Sequence, residues 1–336
     1  MNIVGEIKKV GANLVTNGSF KVWQRGGSVV LSYGETKKTG ADRFSARSWG
    51  AGAFTVSNSV VDGDDAYKVL VDASLGGLIG GSYVGPLMYA FEGQELYGKN
   101  GKKIKIKIKI KTNFDGVLSL SLKNSASDRS YLTELSVRAN VIEEKELKIV
   151  LESDTTLNND SLKGVMLVIG GIAKGSYESA VKDEWVAGTY YSVSGATNWG
   201  VVIGNSIEVI DIAVGSDDIT DFIKKTYSEE LLLCQRYYNV IGKEAHGTWK
   251  SGSTVGLGWS YPVEMRAAPT IALATTTPVI GRLDNPDDTG VGSTILTSKS
   301  GVKGGSAFID GMSSGAGNGN GANSETDVLF TASAEL

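Results

Sequence analysis

Few residues in this chain have the types and spacing for chemistry. One cysteine, Cys234, and one histidine, His246, stand among 336 residues. A single cysteine excludes an internal disulfide framework and a cysteine-rich zinc site, and a single histidine excludes a multi-histidine metal centre within one chain. Cys234 and His246 are the right types for a nucleophile and its base, but no nucleophile signature surrounds either. Cys234 reads instead as a small buried hydrophobe on a helix. Asp62, Asp64 and Asp65 cluster in DGDDA. Carboxylates suit calcium, yet the spacing is not that of an EF-hand loop, and Asp/Gly clusters commonly form plain turns. No catalytic residue, metal site or cofactor is expected. The 37 acidic residues leave room for a glycosidase-type carboxylate pair assembled from distant strands, although nothing local marks one.

Two other groups of side chains point to binding. In GKKIKIKIKIKTN, Ile104, Ile106, Ile108 and Ile110 alternate with Lys103, Lys105, Lys107, Lys109 and Lys111. Side chains alternate faces along a strand, so this is a strand with one buried and one basic face. The lysine face is either a ridge for an anionic surface polymer or a solvated face that blocks edge-to-edge pairing. The second group is Trp185, Tyr190, Tyr191 and Trp199, set among small polar residues in DEWVAGTYYSVSGATNWG. Each ring could pack in the core or stack on a ligand. The net charge of −4 argues against general nucleic-acid binding, which needs a basic surface. No run of about 20 apolar residues is present, so no membrane insertion is expected. The N-terminal MNIVGEIKKVGANLV has no signal-peptide pattern, and synthesis in a cytoplasm is expected.

The elements that must position these groups read as strands. Glycine supplies 44 residues, and the alternating stretches are rich in Val, Ile, Thr and Tyr, which together indicate an all-β protein. AFTVSNSVV and YKVLVDA flank a DG turn; VLSLSLKN is expected to pair with the lysine strand through NFDG; Glu143 to Glu146 suit a hairpin tip. GVMLVIGGIAKG is continuously apolar, as a strand buried on both faces would be. NSIEVIDIAVG closes this part as an alternating strand. A helix is expected over SEELLLCQRYYNV, with Ser228 as N-cap, Glu229 and Glu230 at the positive end of the dipole, and Leu232, Leu233, Arg236 and Tyr237 on one docked face. Beyond Gly242 come short strands with tight turns, and Pro262, Pro269 and Pro278 suit strand starts or edges. The glycine/asparagine stretch Met312 to Asp327 suits a long loop. The expected division is a tether at 1–12, a large β domain at 13–216, a linker with its helix at 217–242, and a smaller β domain at 243–336.

Three blocks carry a resemblance. NLVTNGSF with WQRG and ADRF, then ELLLCQRYY, then SYPVEMRAAPTI with the terminal AEL, resemble the tail-fibre and receptor-binding virion proteins of tailed bacteriophages. Arg25, Asp42 and Arg43 within the first block suit a charged latch. The resemblance implies an N-terminal jelly-roll-like β-sandwich, a short connecting helix and a smaller C-terminal β-sandwich. It also implies a homotrimer on the virion, contacts with other tail or capsid proteins, and binding without catalysis to a host cell-surface glycan. Loop aromatics stacking on sugar rings are the device of the carbohydrate modules that the first domain resembles. A capsid head fibre, a cellular carbohydrate-binding module and a polysaccharide depolymerase remain alternatives.

Overall fold

The computed structural model describes residues 13–50, 52–73, 81–152, 157–216, 222, 224–250, 253–274, 279–282, 289–291, 294–310, 321–324 and 329–335. The tether expected at 1–12 lies outside them, as do Pro278 and most of the 312–327 stretch. The chain divides into two compact units, one ending at Glu230 and the other running from Leu231 to Glu335.

The described residues of the first unit form β1 (Ser28–Leu31), β2 (Thr36–Lys38), β3 (Phe44–Trp49), β4 (Ala53–Val61), β5 (Asp64–Ala73), β6 (Tyr83–Glu92), β7 (Lys103–Thr112), β8 (Gly116–Lys123), β9 (Arg129–Val137), β10 (Glu143–Val150), β11 (Lys163–Ala173), β12 (Glu178–Ser179), β13 (Trp185–Ala187), β14 (Ser192–Val193) and β15 (Ser206–Ser216). One sheet has the order β1-β4-β5-β15-β7-β10, the other β13-β9-β8-β11-β6-β3-β2. Their inner faces share one core, with Ile104, Ile106, Ile108 and Ile110 on one side and Leu87, Tyr89, Leu120 and Leu167 on the other. The unit is an antiparallel β-sandwich.

Sequence pattern explains most of these strands. β4 and β5 are joined by Asp62 and Gly63, both at positive φ, the two-residue turn whose twist suits a hairpin. The isoleucines of β7 face inward as their period of two requires. Two expectations fail for one reason. The lysine strand does not pair with VLSLSLKN, because β7 lies in one sheet and β8 in the other; NFDG is an arch between layers. Likewise Glu143–Glu146 is no hairpin tip but the start of β10, which pairs with β7. Alternation shows which residues face inward; it does not show which sheet a strand joins. β15 adds a bulge between Val209 and Asp211. The extra residue shifts the phase, so Ile207 and Val209 face inward before it and Ile212 and Val214 after it.

The NLVTNGSF block makes no strand of its own. Asn13 receives the amides of Val15 and Val214, each at 3.0 Å, and donates to the Ile212 carbonyl at 3.0 Å. Asn17 is fully buried at φ 60. Its side chain donates to the carbonyls of Val22 (2.9 Å) and Asp42 (3.1 Å) and accepts the Val22 amide (3.0 Å). A Cβ on Gly18 would sit 2.3 Å from the Ile212 carbonyl oxygen, so only glycine fits there. Asp42, almost fully buried, accepts the Gln24 amide and meets Arg25 at 3.4 Å. Arg43 donates to Ala90 O at 2.9 Å and faces Glu95 at 3.9 Å. The latch is thus two ion pairs braced by backbone.

The helix α1 spans Tyr227–Gln235. Its cap is Thr226 rather than Ser228. Thr226 Oγ1 accepts the Glu229 amide, and Glu229 accepts the Thr226 amide at 2.7 Å, a reciprocal capping box. The expected docked face is also wrong. Leu232 and Leu233 are 48% and 40% exposed, while Glu230 and Cys234 are buried. Arg236 and Tyr237 lie past the helix end. Glu230 Oε2 accepts the Asn17 amide at 2.7 Å, and Oε1 meets Lys225 at 3.4 Å. A buried carboxylate with those partners fixes the face, overriding two leucines.

The second unit contains β16 (Tyr238–Ile241), β17 (His246–Trp249), β18 (Val255–Ser260), β19 (Thr270–Leu273), β20 (Val279–Arg282), β21 (Thr289–Val291), β22 (Thr294–Ser300), β23 (Gly304–Asp310), β24 (Gly321–Ser324) and β25 (Phe330–Ser333). They form a three-stranded sheet, β16-β25-β19, and a seven-stranded sheet, β21-β20-β24-β17-β18-β23-β22, over a core that includes Trp249, Trp259, Met265 and Phe330. β24 lies inside the stretch expected as a loop, pairing with β17 and β20.

Glu230→Ala should cost about 1.5–3 kcal/mol, since it strips a charged hydrogen bond from the buried Asn17 amide. Leu233→Ala should stay within about 0.5 kcal/mol. Urea unfolding of both variants checks the ranking, and equal losses would contradict the assigned face.

Candidate glycan-binding face

The two outer sheet faces differ in how their charges are met. On the outer face of the β7 sheet Lys107, Lys109 and Lys111 face acids across the ladder, while Lys105 stands opposite Lys148 and Gly215 and Lys103 opposite Val150. Lys109 is paired in register with Glu144 on β10 and Asp211 on β15, Lys111 with Glu208, and Lys107 with Glu146. Lys105 reaches Glu146 at 3.4 Å, Lys109 reaches Asp64 at 3.1 Å, and Lys107 lies 4.9 Å from the Phe222 ring centroid. Lys105 and Lys107 are buried, Lys109 and Lys111 half-buried, and Lys103 alone of the five is exposed. The strand is internal, between β15 and β10. The strand is not an edge, and Lys107, Lys109 and Lys111 have acids opposite them within the sheet.

Asp64 also takes Lys224, and both partners hold its carboxyl below the usual range. A cavity of about 240 Å³ beside it is lined by Ser19, Lys21, Asp65 and Asp211. Burial raises the Asp211 carboxyl to about 7, against the opposing pull of Lys224. Asp62, Asp64 and Asp65 do not converge as ligands. Among the described residues no cluster of three or more His, Cys, Asp or Glu side chains could hold a metal ion. Cys234 is buried and His246 exposed.

The four expected aromatic residues do not share a face. Trp199 is 1% exposed, in the core, its indole donating to Gly170 O at 2.9 Å. Tyr191 is 3% exposed and stacks on Tyr83 with centroids 4.0 Å apart. Burial removes both from contact with a ligand. Trp185 is half-buried on the edge strand β13, donating to Val150 O at 2.9 Å and packing on Tyr131. The half-buried Tyr190 takes Ser130 Oγ with its amide at 3.0 Å.

The exposed rings lie elsewhere. Trp49 ends β3, and Tyr33 sits in the turn between β1 and β2; their centroids are 5.8 Å apart, and they are 40% and 64% exposed. Both belong to the first unit, and Trp49 lies on the outer face of the seven-stranded sheet. Phe44 and Ala46 of β3 point into the core, which leaves Ser45, Arg47 and Trp49 on the outside. That phase was readable in FSARSW. Arg47 lies with its guanidinium carbon 5.8 Å from the Trp49 centroid and 5.1 Å from that of Tyr83. Tyr83 and Tyr191 continue the row to Lys123, whose Nζ lies 2.7 Å from the Tyr191 centroid. Lys123 is fully buried, and its Nζ has no hydrogen-bond partner. Burial, reinforced by the like charges of Arg47 and Lys163, lowers its amine to about 6.

No family model matches the chain, and no curated protein matches it. Solved structures do align with it. The enzymatically active domain of bacteriophage CBA120 tailspike protein 4 aligns at 10% identity and TM-score 0.32, over 60% of this chain and 21% of that one. The module TmCBM61, solved with β-1,4-galactotriose, aligns at 10% identity and TM-score 0.31, over 61% and 99%. A putative sugar binding protein from Bacteroides thetaiotaomicron aligns at 9% identity and TM-score 0.31, over 61% and 100%. The match thus spans about a fifth of the tailspike chain. TM-scores of this size assign no function.

Lys123 makes stability pH-dependent. An unfolded lysine titrates near 10.5 and the folded one near 6, so between those values the unfolded state binds an extra proton and stability rises with pH. Lys123→Met should stabilise the protein at neutral pH by about 1–3 kcal/mol, removing an unsatisfied buried donor, and should flatten the rise between pH 6 and pH 9. Urea titrations at the two pH values check it. An unchanged slope would show that the amine is hydrated in the fold.

Proposed function

We propose that this chain is a non-catalytic glycan-binding protein of a tailed-phage particle, acting as a tail fibre or appendage that attaches to host-surface sugars. The observation that carries the reading is the exposed Tyr33–Trp49 pair held at the end of a sheet strand. An aromatic face is apolar with a negative quadrupole, so it packs against the polarised C–H face of a pyranose. Exposed rings of this size lose water cheaply, and a sheet fixes their geometry before binding. The virion setting rests on the resemblance of the NLVTNGSF, ELLLCQRYY and SYPVEMRAAPTI blocks. On a particle, several copies, as in a homotrimer, multiply a modest affinity for each sugar. A head fibre would use the same face from the capsid; antibody labelling of virions separates the two positions.

Trp49→Ala should weaken binding to host cells or to an isolated surface glycan by at least about tenfold, equal to about 1.4 kcal/mol. Its melting temperature should barely move, because the ring is exposed. Wild-type affinity in Trp49→Ala would rule out this face as the glycan site.

A further inference from the structure

Arg47 differs from five other arginines of the chain. Arg25, Arg43, Arg129, Arg138 and Arg266 each donate to a carboxylate or a carbonyl. Among the described residues the Arg47 guanidinium makes no hydrogen bond and no ion pair, and its Nε is buried without a partner. Rings on two sides hold it: Trp49 at 5.8 Å and Tyr83 at 5.1 Å. A guanidinium presents its donors in a planar fork that matches carboxylate, phosphate or sulfate. Here that fork is oriented by stacking and unspent by the protein.

Arg47 and Lys163 both act on Lys123, disfavouring its charged form, and no carboxylate enters its balance. Lys163 donates to the Ser127 hydroxyl at 2.9 Å and stands opposite Glu92 in the β6–β11 ladder, so the acid on this face lies at the Lys163 end of the row and not beside Arg47 in register. The nearby acid on the β1–β2 side, Glu35, is already engaged by the Ser32 amide and Lys37, which hold its carboxyl low. On the opposite sheet Lys107, Lys109 and Lys111 each face an acid across the ladder, whereas Arg47 makes no ion pair among the described residues. A bound anion supplies the Arg47 guanidinium with the partner that those residues do not. Nucleic acid does not fit the site: the whole chain carries −4, and one arginine between rings is not a phosphate-tracking groove.

We infer that the saccharide bound at this face is anionic, with its sugar ring on Trp49 and its carboxylate, phosphate or sulfate on Arg47. This rests on the glycan-binding reading and adds the charge of the ligand to it. Arg47 is then the specificity-determining residue and Trp49 the affinity residue.

The test uses the full chain on a glycan array holding uronate, sulfated and phosphorylated oligosaccharides, each beside a neutral counterpart such as the carboxyl-reduced form. Wild type should bind the anionic member of its preferred pair at least about tenfold more tightly, and that preference should fall with added salt. Arg47→Gln should erase the preference, with an unchanged urea unfolding midpoint showing that the variant is folded. Arg47→Lys should restore part of it. Equal binding of both members by wild type, or a preference that survives Arg47→Gln, overturns the inference and leaves the glycan reading standing. No binding to any saccharide, with Trp49→Ala adsorbing to host cells as wild type does, overturns both.

Discussion

The entry segment of the fold is held by two asparagines, Asn17 fully buried and Asn13 half-buried. The segment forms no strand and meets β15 through only the Leu14 amide and the Gly18 carbonyl among its described backbone bonds, so its other buried backbone groups need side-chain partners. Asn13 supplies them to Val15, Ile212 and Val214, and Asn17 to Val22 and Asp42. Through the Asn17 amide the node extends to Glu230, which sets which side of α1 is buried. The entry segment, the last strand of the sandwich and Glu230 are thereby tied at one place. An unsatisfied buried amide costs about as much as a hydrogen bond is worth, so each partner depends on the others.

Above that node, the two outer sheet faces follow different electrostatic rules. The β7 face sets Lys107, Lys109 and Lys111 against acids across the ladder and gains cross-strand pairing. The opposite face leaves Arg47 and Lys123 without acids and lines them with tyrosine and tryptophan. Pairing rigidifies the first face and spends its charge. The second leaves the Arg47 guanidinium without an acid, and the buried amine of Lys123 there costs stability.

Much of the fold was legible because strand periodicity is local. Ile104 to Ile110 point inward as the pattern requires, and the DG turn between β4 and β5 forms as its residues demand. What alternation does not encode is the partner of each strand. Lysines judged alone look solvated, and only the assignment of β10 and β15 as neighbours shows their charges to be met. The helix face was misread because leucine outranks glutamate on any hydrophobic count, while a single charged hydrogen bond to Asn17 decided the burial. Trp199 and Tyr191 looked like loop rings because their flanks are polar; the core took both. Trp49 was overlooked although the phase of FSARSW places it outside with Arg47.

The central claim is that ligand binds at Trp49 and Arg47 and not along the lysine strand. A crystal structure of the full chain with a bound anionic oligosaccharide tests it most directly. The account predicts a sugar ring against Trp49 and an acidic group within hydrogen-bond distance of the Arg47 guanidinium. A ligand lying along Lys103 to Lys111, or seated in the second unit with Trp49 bare, would contradict it.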